Sequence, residues 1–136
     1  MSLGGYLASL TAGLSDDFDF LIPLVPPACM GDLAWRVYRD TGHHKAGLDD
    51  TLTEGNMRAA FYLHSPLAYP RKIAKERILI AAGAGDRIVP PEHPSALWEH
   101  WDQPQIHWFR GSHLSPVASS SLMRIIMQHL KKLDIL

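Results

Sequence analysis

Arg77-Ile78-Leu79-Ile80-Ala81-Ala82-Gly83-Ala84-Gly85-Asp86-Arg87-Ile88-Val89-Pro90-Pro91 is the stretch that decides how this sequence of 136 residues is read. The apolar run predicts a strand over Arg77–Ala82, and the glycines and the double proline end it. Asp86 is thereby placed in a turn just beyond the strand's carboxyl end. Downstream, Ser95–Trp101 reads as a short helix and Ile106–Phe109 as another strand, closed by the turn Arg110-Gly111-Ser112. From Pro116 the chain is expected to enter a last helix, because proline suits a first helical turn. Leu122, Ile125, Ile126, Leu130 and Leu133 form its apolar stripe, and Lys131 and Lys132 suit the negative end of its dipole.

Upstream, Leu3, Tyr6, Leu7, Leu10 and Leu14 recur at helical spacing, so an amphipathic helix is expected to end near Gly13 or Ser15. Phe18 to Val25 suits a buried strand halted by Pro26 and Pro27. Asp32 is positioned to cap a helix running to about Arg39. Residues 40–50 read as a polar loop, Thr53–Leu63 as a further helix with Ala59, Ala60 and Leu63 on one side, and Ser65-Pro66 and Tyr69-Pro70 as an irregular connection. Helices alternating with strands imply an α/β fold with about three parallel strands covered on both faces.

Composition narrows the class. Hydrophobic residues make up 46% and charged residues 20%, which is globular rather than disordered. A net charge of −1 gives no electrostatic reason to expect nucleic acid as a partner. The single cysteine, Cys29, excludes an internal disulfide and fits a reducing, cytoplasmic location. No apolar run is long enough for a membrane span, and the N-terminus lacks the basic leader of a signal peptide.

The candidate chemistry lies at the strand ends. A serine hydroxyl needs a histidine to take its proton and a carboxylate to orient that histidine. Ser2 opens the first helix, Asp86 follows the strand at 78–82, and His113 follows the strand at 106–109. In an α/β sheet, ligand-handling groups belong at such carboxyl ends. Taken singly, each has an ordinary explanation: Ser2 as a helix N-cap, Asp86 as a turn residue, His113 as a loop histidine. Their order and placement together favour the catalytic reading.

With these residues on the page, the chain resembles the α/β-hydrolase family. Met1-Ser2-Leu3-Gly4-Gly5 is similar to its G-x-S-x-G nucleophile elbow without the leading glycine, the small residues being needed because the strand-to-helix turn is tight. Gly83-Ala84-Gly85-Asp86-Arg87-Ile88-Val89-Pro90 resembles its acid turn, and Gly111-Ser112-His113-Leu114 its histidine loop. The resemblance implies Ser2 as nucleophile, Asp86 as orienting acid, His113 as general base and the Leu3 backbone N–H as one oxyanion-hole donor. It implies a serine hydrolase acting on a small-molecule carboxylic ester, thioester or similar acyl bond, with no cofactor and no metal.

The resemblance covers only the family's C-terminal half, as a single domain over 1–136 with a cap-like insertion at about 29–69. The strands before the elbow and the loop giving a second oxyanion donor are missing from this sequence, which predicts a weak or inactive chain. Strand 18–25 is then expected to be an open edge available to a second copy, giving a homo-oligomer. The alternative function is a non-catalytic remnant or association module using that edge. If Met1 is removed, Ser2 is also a terminal residue whose own amine is a candidate base, though nothing else supports that arrangement.

Other residues point to less. His43-His44, near Asp40 and Asp49-Asp50, lacks the spacing of a helical zinc site and reads as a solvated loop. Trp98, Trp101 and Trp108 read as packing residues. Tyr38, Phe61 and Tyr62 are candidates to line an acyl or aromatic pocket.

Overall fold

Parallel pairing runs through the middle of the molecule. In the computed structural model, which describes residues 1–42 and 52–136, β1 (Leu79–Gly83) pairs in parallel with β2 (Gln105–Phe109), Leu79 opposite Gln105 and Gly83 opposite Phe109. The strands predicted over 77–82 and 106–109 are both present, the first starting two residues later and ending one later, the second starting one residue earlier. His43-His44 and Asp49-Asp50 lie outside the described residues.

The expected strand over 18–25 is reduced to two bridges to the same sheet, Leu21 with Ile78 and Leu24 with Ala81, both parallel. Leu21 donates to Arg77, Leu79 to Leu21, Ala81 to Pro23 and Val25 to Ala81. The ladder is broken at Pro23, which has no N–H to give. It ends at Val25, whose φ of 43° is a conformation that β-branched residues avoid. A third parallel segment therefore exists, held by an interrupted ladder.

Helices cover both faces. On one, Ala12 of α1 (Leu3–Leu14) and Leu97 and Trp101 at α4 (Glu92–His100) pack with Leu21, Ile78 and Ile80. On the other, Leu122 of α5 (Ser120–Lys132) packs with Val25, Ala81 and Phe109. Alternate residues of β1 thus feed opposite layers, as the period of two requires. The five residues of β1 are all buried, consistent with a sheet sandwiched on both sides. Trp101 belongs to this core and Trp98 packs against it, whereas Trp108 is 40% exposed and is not a core residue.

Helix α1 corrects the sequence reading in its orientation. Its buried face is Gly5, Tyr6, Ser9, Ala12 and Gly13, while Leu3, Leu7 and Leu14 face outward. The small face wins because the helix backbone comes very close to its neighbours. A Cβ on Gly5 would lie 2.8 Å from the Leu24 carbonyl, and one on Gly13 would lie 2.7 Å from the Tyr69 Cβ. Gly4, the elbow glycine of the sequence motif, has nothing within 4 Å of that position, so the steric demand falls one residue later than expected.

Boundaries elsewhere moved for identifiable reasons. Helix α2 (Met30–Asp40) starts before Asp32, with Cys29 at its cap position, because the Asp32 carboxylate is engaged by Arg58 of α3 (Glu54–Ala60). Thr53 caps α3 by accepting from Asn56 N–H at 3.1 Å, and a 3-10 turn over Tyr62–His64 follows. None of α3 is buried, and Leu63 is exposed rather than part of an inward face. Helix α4 begins three residues earlier than expected, and Pro116 starts a 3-10 turn (Ser115–Ala118) while Ser119 caps α5.

Candidate functional site

Two turns are fastened together beyond the carboxyl ends of β1 and β2. Ala84 N–H donates to the Phe109 carbonyl and Gly85 N–H to that of Gly111, each at 3.0 Å. This continues the strand pairing into the loops, so the residues that follow are held at fixed separation. Asp86 is one turn past β1, and its Oδ1 accepts from the N–H groups of Ile88 and Val89, both at 2.9 Å. These are the bonds of an aspartate closing its own turn, which satisfies the structural reading of Asp86. They leave Oδ2 free for another donor.

That donor is His113. Its Nδ1 lies 2.7 Å from Asp86 Oδ2, with both side chains buried. A carboxylate only accepts, so Nδ1 carries a proton, and in the neutral ring Nε2 is then the acceptor. His113 Nε2 makes no hydrogen bond among the described residues. The imidazole and the carboxylate are therefore joined across 27 residues of sequence.

Ser2 reaches the same rim from the other side of the third segment. Its N–H donates to the Leu24 carbonyl at 2.8 Å, and its own carbonyl accepts from Tyr6 at 2.9 Å. The residue is thus pinned by the sheet on one side and the helix on the other. Its φ of 54° and ψ of −119° are rare for a residue with a side chain; such conformations cost about 1–3 kcal/mol and persist only where the surroundings enforce them. The N-cap explanation of Ser2 fails, because its side chain makes no capping hydrogen bond. The Leu3 N–H, first of the helix, has no intrahelical acceptor. The structure joins Asp86 to His113 directly, whereas Ser2 Oγ makes no hydrogen bond with either. Catalytic hydrogen bonds of this type often tighten only when substrate is bound.

The fold of this rim is shared with known enzymes. No family model matches the chain. Over 141 residues it is 32% identical to uncharacterized proteins of two Mycobacterium tuberculosis strains, covering 100% of this chain and 32% of theirs. The chain thus spans about a third of the length of the curated relatives it matches. An acetyl xylan esterase from Paenibacillus superposes with a TM-score of 0.66 at 19% identity, over 93% of this chain and 43% of that one. The Pyrococcus horikoshii acylaminoacyl peptidase gives 0.65 at 17%, over 96% and 22%. An alpha/beta hydrolase enzyme from a lagoon-sediment metagenome gives 0.60 at 15%, over 98% and 59%. The chain has an α/β-hydrolase type of fold. Ser2, with its positive φ, stands directly before the first residue of α1 and against the Leu24 carbonyl of the third segment.

His93 is a feature of the rim that sequence reading missed. It is 8% exposed, and its Nδ1 accepts from the N–H groups of Ala28 and Cys29 at 3.3 and 3.4 Å. It ties the turn after the third segment to α4. Burial pushes its pKa down, while Asp32 and Glu92 oppose the shift and Arg36 and Arg58 add to it. His129, also pushed down by burial, has the same sign. The unfolded state then binds more protons than the folded one as pH falls below about 6.5. Stability is therefore expected to be full above that pH and to decline as pH drops towards the folded pKa values. Chemical denaturation across pH 5–8 checks this, and His93→Asn, which keeps an acceptor without a titrating group, should flatten part of the decline.

No helix among the described residues is long and apolar enough to cross a membrane. The predicted pocket residues are dispersed. Tyr38 and Phe61 line one open cleft of about 470 Å³ between α2 and α3, whereas Tyr62 lines a different one beside Cys29 and Arg58.

Proposed function

We propose that the chain carries the catalytic rim of a serine hydrolase that cleaves a carboxylic ester, thioester or similar acyl bond. The observation that carries this reading is the 2.7 Å bond from His113 Nδ1 to Asp86, on the same rim as the strained Ser2. Ser2 Oγ attacks the acyl carbon while His113 Nε2 takes its proton. Asp86 holds the imidazole in the tautomer that accepts at Nε2 and stabilises it once charged. The Leu3 N–H donates to the oxyanion that develops on the carbonyl. His113 then returns the proton to the leaving oxygen or sulfur, leaving an acyl group on Ser2. Water, deprotonated by the same imidazole, releases the acid and restores the serine.

We read residues 1–136 as one domain, with α2 and α3 in a cap-like insertion at about 29–69. Release of p-nitrophenol from p-nitrophenyl acetate tests the reading. Weak turnover by the chain, lost in Ser2→Ala, is the expected result, and equal turnover in both overturns it.

A second reading has its own observation. Leu3, Leu7 and Leu14 leave an apolar stripe on the outer face of α1, which favours association with a second copy. Sedimentation over a concentration series decides that reading: a constant monomer removes it.

A further inference from the structure

We propose that Arg87 selects substrates carrying a negative charge at the far end of their acyl chain, a specificity that rests on His113 marking the reacting end. Arg87 follows the orienting acid and lines a cleft of about 300 Å³ together with His113 and Leu114. With Ile88 it also lines an adjoining cleft of about 440 Å³, whose other wall is Leu33, Arg36 and Val37 of α2. Arg87 and Ile88 are common to both, so the two spaces meet at these residues. A ligand with its acyl carbon beside His113 that extends along the α2 face passes Arg87.

The charge pattern along this route is specific. Arg36, Arg39, Arg58, Arg71 and Arg77 each lie against a carboxylate. Arg87 has no ion pair or hydrogen bond among the described residues. Asp40, the acidic residue of the second cleft, is shared between Arg36 and Arg39, so Arg87 is the cation left over there. The surfaces around it are apolar: Ile88, Val37 and Leu114 are each more than 60% exposed. An unpaired planar guanidinium beside exposed aliphatic side chains matches a methylene chain ending in a carboxylate or phosphate. A neutral chain would gain the apolar contact alone.

The test separates charge recognition from catalysis. The Ser2→Ala chain, unable to turn over an ester, is titrated with monomethyl and dimethyl suberate while amide shifts are followed by NMR. The monomethyl ester, with its free carboxylate, should bind about tenfold more tightly than the dimethyl ester. Arg87→Gln should erase that preference, and Arg87→Lys should retain part of it. Equal affinity for the two esters, a preference that survives Arg87→Gln, or no saturable shift with either overturns the proposal. Because Arg87 is exposed and unpartnered, loss of folding does not confound the Gln variant. Phosphonylation of Ser2 in the unaltered chain is the independent measure: labelling without charge preference removes this inference alone, and charge preference without labelling removes the hydrolase reading alone.

Discussion

Asp86→Asn is expected to slow ester turnover by about four orders of magnitude while leaving the chain folded. The two functions of this side chain separate cleanly in the structure. Oδ1 closes the turn by accepting from Ile88 and Val89, and an asparagine oxygen does the same. Oδ2 meets His113 Nδ1 at 2.7 Å, and there the asparagine presents an amide N–H instead of an acceptor. The imidazole must then accept at Nδ1 and carry its proton on Nε2, the nitrogen that should receive the proton of Ser2. Measured kcat should fall by about that factor with an unchanged thermal midpoint. A fall of less than about tenfold would separate the His113–Asp86 pair from the chemistry. Asp86→Ala removes both functions and should also lower the midpoint, since the buried Val89 N–H and the part-buried Ile88 N–H lose their acceptor.

His113→Ala should have the larger effect, taking turnover down to the level of Ser2→Ala. It removes the base outright, and nothing else described at the rim replaces it. His93, the other buried imidazole nearby, has its Nδ1 committed to the backbone of Ala28 and Cys29. The double variant with Asp86→Asn should be no slower than His113→Ala alone, because an orienting carboxylate has nothing to orient once the ring is gone. Additive losses in the double variant would mean that the two residues act separately. Assays with p-nitrophenyl esters at high protein concentration, corrected for spontaneous hydrolysis, make the comparison.

The sheet was legible in sequence where burial was complete. Ile78 to Ala82 is a continuous apolar run because β1 is covered on both faces. Asp86 and His113 were legible because each follows an apolar strand segment and a glycine-containing turn, and the fold joins them. Their hydrogen bond was not legible, since it depends on the pairing of Ala84 and Gly85 with the β2 turn, a contact between distant segments.

Helix α1 has nearly the ends expected, but of the expected apolar stripe only Tyr6 is buried. A hydrophobic stripe predicts burial when side chains fill the gap between layers, but here Gly5, Ser9, Ala12 and Gly13 bring the backbone itself into contact. Proline explains the third segment in a similar way: Phe18 to Val25 has strand composition, yet Pro23 interrupts the bonding and only two bridges form. His93 carried no sequence signal, because its partners are backbone N–H groups more than sixty residues away. The strain at Ser2 was implied only through the resemblance to an elbow; its positive φ is a property of how Leu24 and Tyr6 hold it.

Mapping the site of a fluorophosphonate adduct by peptide mass spectrometry tests the central claim most directly. An activated serine reacts with such a probe and an ordinary surface serine does not, because the reaction needs a base at the hydroxyl. The account predicts one stoichiometric adduct, on Ser2, that disappears in His113→Ala. An unlabelled chain, or an adduct on Ser2 that forms equally well without His113, would contradict it.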